Sequence, residues 1–307
     1  MISGTTVSVV IPTIGRASLR GAVESALNQT SPPMEVIVVL DRECDPDLPE
    51  SDSIRVLRTS GGVGPSRAKQ IGVESAKGNV IALLDDDDLW YPDKLEKQLA
   101  AAPVGDEWIV SCRYLYRAPG RKPVTCPHRL IRRDERSILY LYKLRSLRRG
   151  RPSLAVPTLV FPRQVAQMVP LSVAAGSIHD DPLWLMEVHR ALPNLRIIQL
   201  PEPLVDVNAT PGSISRPGED RSKAYIDWGV RELADQSGRV RGDYLLTSPV
   251  SSALEVGSLR GVARSMAAGV RSGRPGLWAW GYASAAMLRI AWRRVGSRAA
   301  RAAGGMR

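Results

Sequence analysis

Residues 79–93 read Asn-Val-Ile-Ala-Leu-Leu-Asp-Asp-Asp-Asp-Leu-Trp-Tyr-Pro-Asp, and the reading of this stretch decides the fold. Five apolar residues, Val80 to Leu84, have the length and composition of a strand covered on both faces. Four carboxylates, Asp85 to Asp88, follow with no spacer. Acids a few ångströms apart repel one another. A divalent cation relieves that repulsion, and an all-oxygen donor set suits Mg²⁺ or Mn²⁺. The bland alternative is a solvated acidic turn ahead of a helix that begins near Pro92.

Working outward, the same strand-and-exit pattern recurs upstream. Val7 to Ile11 reads as a buried strand ending at Pro12-Thr13, and Val36 to Leu40 as a second, running into Asp41. Between them Leu19, Ala22, Val23, Ala26 and Leu27 mark one face of a helix that Pro32-Pro33 ends. Ile54 to Leu57 is a short third strand. A glycine-rich loop follows at Gly61-Gly62-Val63-Gly64-Pro65, then a helix with the small face Ala68, Ile71, Gly72 and Ser75. After the acids, Leu95, Leu99 and Ala102 mark another helix. Strands alternating with helices give right-handed βαβ units on a mostly parallel sheet, whose ligands bind beyond the carboxyl ends of the strands. Thr13, Asp41 and Asp85 to Asp88 all fall at such ends, so three strand exits converge on one edge. That convergence points to a nucleotide-plus-metal site. The glycines match neither a dinucleotide fingerprint nor a phosphate loop. Lys69, one turn into the next helix, is a candidate to meet a diphosphate.

These residues resemble the nucleotide-binding half of a family 2 glycosyltransferase with the GT-A fold. The resemblance rests on Val-Ser-Val-Val-Ile-Pro-Thr at 7–13, on Glu35 to Asp41, and on Ala76 through Asp88, which ends in a leucine-Asp-x-Asp-Asp signature. It implies a Rossmann-like, mostly parallel α/β sheet flanked by helices. It further implies that Pro12, Thr13 and Asp41 line the nucleoside pocket. Asp85, with Asp86 beside it, would lie on the donor near the ribose, and Asp87 would hold the Mg²⁺ or Mn²⁺ on the diphosphate. Three positions depart from the family pattern: Leu40 replaces an aspartate, Lys69-Gln70 an Arg-Asn pair, and Gly62 an asparagine.

A second landmark is Gly-Ser-Ile-His-Asp-Asp-Pro-Leu-Trp-Leu at 176–185. Asp181-Pro182 reads as a helix start, an aspartate cap before a proline, with Trp184, Leu185, Val188 and Leu192 on the buried face. It resembles the family's Glu-Asp motif, with Asp180 at the glutamate position. By that resemblance Asp181 is the general base, taking the proton of an acceptor hydroxyl as its oxygen attacks the anomeric carbon. A carboxylate is a weak base, but the hydroxyl acidifies as it bonds to carbon. His179 reads as an orienting neighbour. Further on, the family often has a metal-binding histidine; Asn208 and Thr210 stand in that region here.

Composition bounds the rest. The chain has 307 residues, 44% of them hydrophobic, enough for a large core. Three irregularly spaced cysteines fit a reducing compartment, not a disulfide framework. The net charge of +11 is uneven: +11 from Arg113 to Arg151, +9 from Arg241 to Arg307, and −9 elsewhere. No helix-turn-helix, finger or aromatic RNA signature accompanies the basic segments, so nucleic acid is not an expected partner. Leu154 to Phe161 reads as a strand with an edge or bulge at Pro157, and Arg216 to Arg221 as a lid over the donor. Leu277 to Trp292 is apolar except for Arg289, and too short and interrupted to span a bilayer. This tail is expected to lie on an anionic membrane surface, or to pack on the domain or on a dimer mate.

The organisation expected is a donor half at 1–105, an acceptor half at 106–240 and a basic helical extension at 241–307. The expected partners are a nucleoside-diphosphate sugar and an acceptor hydroxyl on a glycan, lipid-linked glycan or small molecule. With no basic-plus-apolar leader in view, the expected location is cytoplasmic, peripheral on the inner membrane face. The rival readings are a sugar-1-phosphate nucleotidyltransferase, for which Thr13 to Arg16 is a poor match, and an inactive membrane-associated binding protein.

Overall fold

The computed structural model describes residues 4–105, 107–172, 178–209 and 219–304, with side chains to 294. Two compact units share the chain: Met1–Leu141 with Arg149–Pro211, and Tyr142–Arg148 with Gly212–Arg307.

In the first unit strands and helices alternate as their periodicities predict. β1 (Val7–Thr13), α1 (Leu19–Leu27), β2 (Glu35–Leu40), β3 (Ile54–Arg58), α2 (Pro65–Ser75) and β4 (Val80–Leu83) come first. The two-residue β5 (Leu89–Trp90), α3 (Lys94–Ala101), β6 (Trp108–Arg117), β7 (Val124–Cys126) and α4 (Ser137–Tyr142) follow. β8 (Val160–Pro162), α5 (Arg163–Met168), α6 (Asp180–Ala191) and β9 (Arg196–Asn208) complete it. The sheet order is β3-β2-β1-β4-β8-β6-β9-β5, with β7 paired to β6. β1 to β4 run parallel, as do β6 and β9, while β8 and β5 run against their neighbours.

The central strands are buried on both faces, and their period of two sorts them between two cores. Val10, Ile37, Val39, Ile81 and Leu83 pack with Ala68 of α2, Val165 of α5 and Trp184 of α6. Val9, Ile11, Val36, Val38 and Ala82 pack on the other side with Leu19 of α1 and Leu95 of α3. Close packing of α2 on the sheet explains Gly72. A Cβ there would lie 2.4 Å from Val10 Cγ1.

The expected strand at Leu154 to Phe161 is corrected. Val156–Thr158 forms a single 3₁₀ turn, and only Val160–Pro162 joins the sheet. Pro157 has no N–H to give a ladder, and Thr158 Oγ1 turns back to the Ala155 carbonyl at 2.6 Å.

The second unit is helical: α7 (Ser222–Glu232), α8 (Gly238–Leu245), α9 (Ser248–Glu255), α10 (Leu259–Ser272) and α11 (Leu277–Gly304). Part of the basic middle segment belongs here. Tyr142 stacks edge-on against Tyr244 at 4.9 Å between ring centroids. The buried carboxylate of Asp243 accepts from Leu144 N, Gly276 N and Arg239 Nε at 2.7–3.0 Å. Of the expected lid, residues 216–218 lie outside the described residues, as does Thr210. Among the described residues no helix is long and apolar enough to cross a membrane.

Candidate active site

Parallel pairing brings the three strand exits to one edge, with Thr13 in register with Leu40 and Val10 with Leu83. Pro12 lies inside β1 opposite Val39, one residue short of the exit. Thr13 Oγ1 donates to Asp86 Oδ2 at 2.6 Å, and Arg16 Nη1 donates to Asp86 Oδ1 at 2.8 Å. Arg16 also reaches Asp87 Oδ2 at 3.4 Å. Both oxygens of Asp86 are thus committed to protein donors. Asp88 is likewise turned inward, its Oδ1 accepting from Asn208 N at 2.8 Å. Burial, then the charge of Asp85, pushes Asp88 up to about 8. The four acids therefore alternate. Asp86 and Asp88 are engaged by protein donors, while Asp85 and Asp87 keep side chains 35% and 14% exposed.

Asp41 organises the glycine loop. Its Oδ1 accepts from Thr59 Oγ1 (2.5 Å) and Val63 N (2.9 Å), and its Oδ2 from Gly64 N (2.8 Å). Burial alone would raise its pKa, but these donors together hold it below the usual carboxylate range. Gly62 and Gly64 sit at φ 70° and 84°, a region where side chains are strained. The loop can therefore fold its amides back onto Asp41 and still feed directly into Pro65, the first residue of α2.

Two contacts one turn apart join α2 to the start of α6. Ser66 Oγ donates to Asp180 Oδ2 at 2.7 Å. Lys69 Nζ lies 3.7 Å from Asp85 Oδ1 and 3.7 Å from Asp181 Oδ1. Burial opposes the charge on Lys69, but Asp181, Asp85 and Asp180 together raise its pKa above the ordinary value. For Asp85 burial raises the pKa and Lys69 pulls it down; Asp181 and Asp87 push it up again, and the net shift is upward. One buried ammonium thus spans the acids of β4 and the first turn of α6.

The expected aspartate cap is not made. The helix begins at Asp180, and the residue before it, His179, takes the left-handed conformation at φ 59° with no side-chain cap bond. The Asp181 carboxylate faces Lys69 instead and stays 43% exposed. Burial, then the charge of Arg151, drops His179 to about 4, so it is neutral at physiological pH. Trp184, Leu185, Val188 and Leu192 form the buried face as expected.

Among the described residues no group of three or more His, Cys, Asp or Glu side chains could hold a metal ion unaided. Asp87 and Asp85 still fit a hard divalent ion in donor chemistry. They offer oxygen only, and the like charge of Asp87 pushes the pKa of Asp85 up, a repulsion that a cation between them would relieve. A small hard cation of this kind takes one or two carboxylates and completes its shell from a phosphate-bearing ligand and water.

Sequence reasoning missed Arg16, Thr59 and Ser66. Arg16 was within reach, three residues past Thr13 at the same exit. Ser66 and Lys69 share a helix face by their spacing, but their partners on α6, Asp180 and Asp181, lie more than a hundred residues away and are not legible locally.

The sequence model of "Glycosyl transferase family 2" matches residues 8–161. An uncharacterized glycosyltransferase of Rickettsia felis is 38% identical over 106 residues, which cover 32% of this chain and 17% of that protein. Another, from Haemophilus influenzae, is 33% identical over 96 residues, 30% of this chain and 33% of the relative. The chain thus matches a third or less of these relatives' lengths. The crystal structure of S. aureus TarS 1-349 in complex with UDP-GlcNAc superposes with a TM-score of 0.55 at 16% identity, over 86% of this chain and 81% of that 1-349 chain. That likeness concerns the fold, the α/β GT-A architecture with helices after it. The family match spans the strand exits, the glycine loop and Asp85 to Asp88, and on it the chain belongs to glycosyl transferase family 2.

Proposed function

We propose that the chain is an inverting glycosyltransferase that moves a sugar from a nucleoside-diphosphate sugar to an acceptor hydroxyl, with Asp181 as the general base. The observation that carries this reading is the position of Lys69, 3.7 Å from both Asp85 and Asp181. It ties the donor edge of the sheet to the helix that bears the base. The nucleoside side of the site is Thr13, Asp41 and the glycine loop. Asp85 stands between them and Lys69.

In the proposed reaction the acceptor oxygen attacks the anomeric carbon as the bond from that carbon to the diphosphate oxygen breaks. The hydroxyl proton passes to Asp181, and the nucleoside diphosphate leaves with the electron pair of the broken bond. Attack from the face opposite the leaving group inverts the configuration. Lys69 faces Asp181 Oδ1, which orients the carboxylate and leaves Oδ2 to take the proton. Asp87, with Asp85, would hold Mg²⁺ or Mn²⁺. Such an ion, when bound, neutralises charge on the departing diphosphate. Arg16, at 3.4 Å, holds Asp87 in orientation. TarS is described with UDP-GlcNAc, which makes uridine donors the first to try.

The test is a thermal-shift screen of UDP-, dTDP- and GDP-sugars with and without Mn²⁺, followed by transfer assays on Asp181→Asn. The parent is expected to be stabilised by one donor with Mn²⁺. Asp181→Asn should keep that stabilisation while transfer drops about a hundredfold or more. Stabilisation by no donor, or full transfer by the variant, overturns the reading.

A further inference from the structure

From Leu277 to Trp292, α11 is apolar around most of its circumference, yet only one side of that stretch is covered. Ala279, Ala283, Ala286 and Ile290 are at most 3% exposed and pack inward. On the opposite side Leu277, Trp278, Leu288 and Trp292 are 88%, 49%, 71% and 81% exposed. With about 3.6 residues per turn, those four fall in one sector, and Arg289 and Arg293 stand along its border. Gly281, Ser284 and Ala285, the other residues of that sector, place no charge on it.

Charge selects the occupant. From Leu259 to Arg307 the chain has ten arginines and no aspartate or glutamate. A second copy would meet this face with the same positive charge and be repelled. A surface that is apolar in depth and negative at its rim suits every part of the stripe. Leucine and tryptophan bury apolar area there, the indole N–H stays wet, and arginine stems extend outward to phosphate. The helix cannot cross such a layer, since no described helix is long and apolar enough. It can lie along one.

We propose that α11 binds the surface of an anionic lipid bilayer, with Leu277, Trp278, Leu288 and Trp292 in the interface and Arg289 and Arg293 against the lipid phosphates. The full chain is tested by co-sedimentation with vesicles of phosphatidylglycerol and phosphatidylcholine, and with vesicles of phosphatidylcholine alone. The expected result is binding to the anionic vesicles with a blue shift of tryptophan emission. Leu288→Ser with Trp292→Ser should weaken that binding by about tenfold or more. Arg289→Gln with Arg293→Gln should remove the preference for anionic vesicles. All four positions are exposed, so the variants should keep the parent's circular dichroism and melting temperature. Failure of the parent to sediment with anionic vesicles overturns the proposal, as does unchanged binding by the Leu288/Trp292 variant. A parent dimer that this variant disperses, seen by sedimentation equilibrium, assigns the face to a second copy and also overturns it.

Discussion

Two buried lysines show how the same side chain takes opposite roles. Lys69 stands among three acids, which outweigh its burial and keep it charged. Lys94 has no such company. It is fully buried at the start of α3, its Nζ lies 3.8 Å above the Trp90 ring, and among the described residues no hydrogen-bond partner reaches it. Burial drops its pKa from 10.5 to about 7, offset only weakly by Cys112, which burial itself pushes up to about 11 and so keeps neutral. The sign follows from proton counts. Between about 7 and 10.5 the unfolded chain holds the proton and the folded chain does not, so stability rises with pH through that window and is lowest below it. Lys94→Met removes the titration. Urea denaturation at a series of pH values should show the variant more stable than the parent by on the order of 4 kcal/mol below pH 7, the gap closing toward pH 10. A gap independent of pH would mean that the amine is not what titrates.

At the scale of elements, α2 is the lever of the site. It carries Ser66 and Lys69 to Asp180 and Asp181, and its close approach to β1 depends on Gly72. Gly72→Ala puts a methyl 2.4 Å from Val10 Cγ1 and forces the helix outward. The expected cost is about 1–3 kcal/mol in stability. Transfer should fall further than that loss of folded protein explains, because Lys69 moves with the helix. Activity per folded molecule, measured well below the variant's melting temperature, checks this; an unchanged value would mean that α2 tolerates the shift. The elements themselves were largely legible in the sequence. Val7 to Ile11, Val36 to Leu40 and Val80 to Leu84 are apolar runs that end in polar residues, and a parallel sheet allows them one common edge. What local pattern hid is what each acid does there. The resemblance put Asp85 and Asp86 on the donor and Asp87 on the metal, but no local pattern shows that Thr13 and Arg16 engage Asp86 and that the Asn208 N–H engages Asp88. Asp181 read as a cap because proline follows it, but Lys69 draws its carboxylate and the helix starts a residue earlier. Pro157 reads as an edge or bulge, whereas it lies in a 3₁₀ turn before the strand begins.

For the whole molecule, the decisive feature is that each unit has its own interior. The α/β unit packs two apolar layers on its sheet. The helical unit closes around Tyr142, Trp228 and Tyr244, with Asp243 buried among three donors. Every residue assigned to the donor and to the base belongs to the first unit. A ligand that binds only the folded form stabilises the cooperative unit that holds it, by about 2.7 kcal/mol at about a hundred times its dissociation constant. Saturating UDP with Mn²⁺ should therefore slow amide exchange by about a hundredfold in β1, β2, β4, α2 and the first turns of α6, where exchange proceeds through opening of that unit. Amides of α7 to α10 should exchange at the same rate with and without ligand. Equal protection in both units would show that they open together, and that the helical unit shares the energetics of donor binding although none of its residues is assigned to the site.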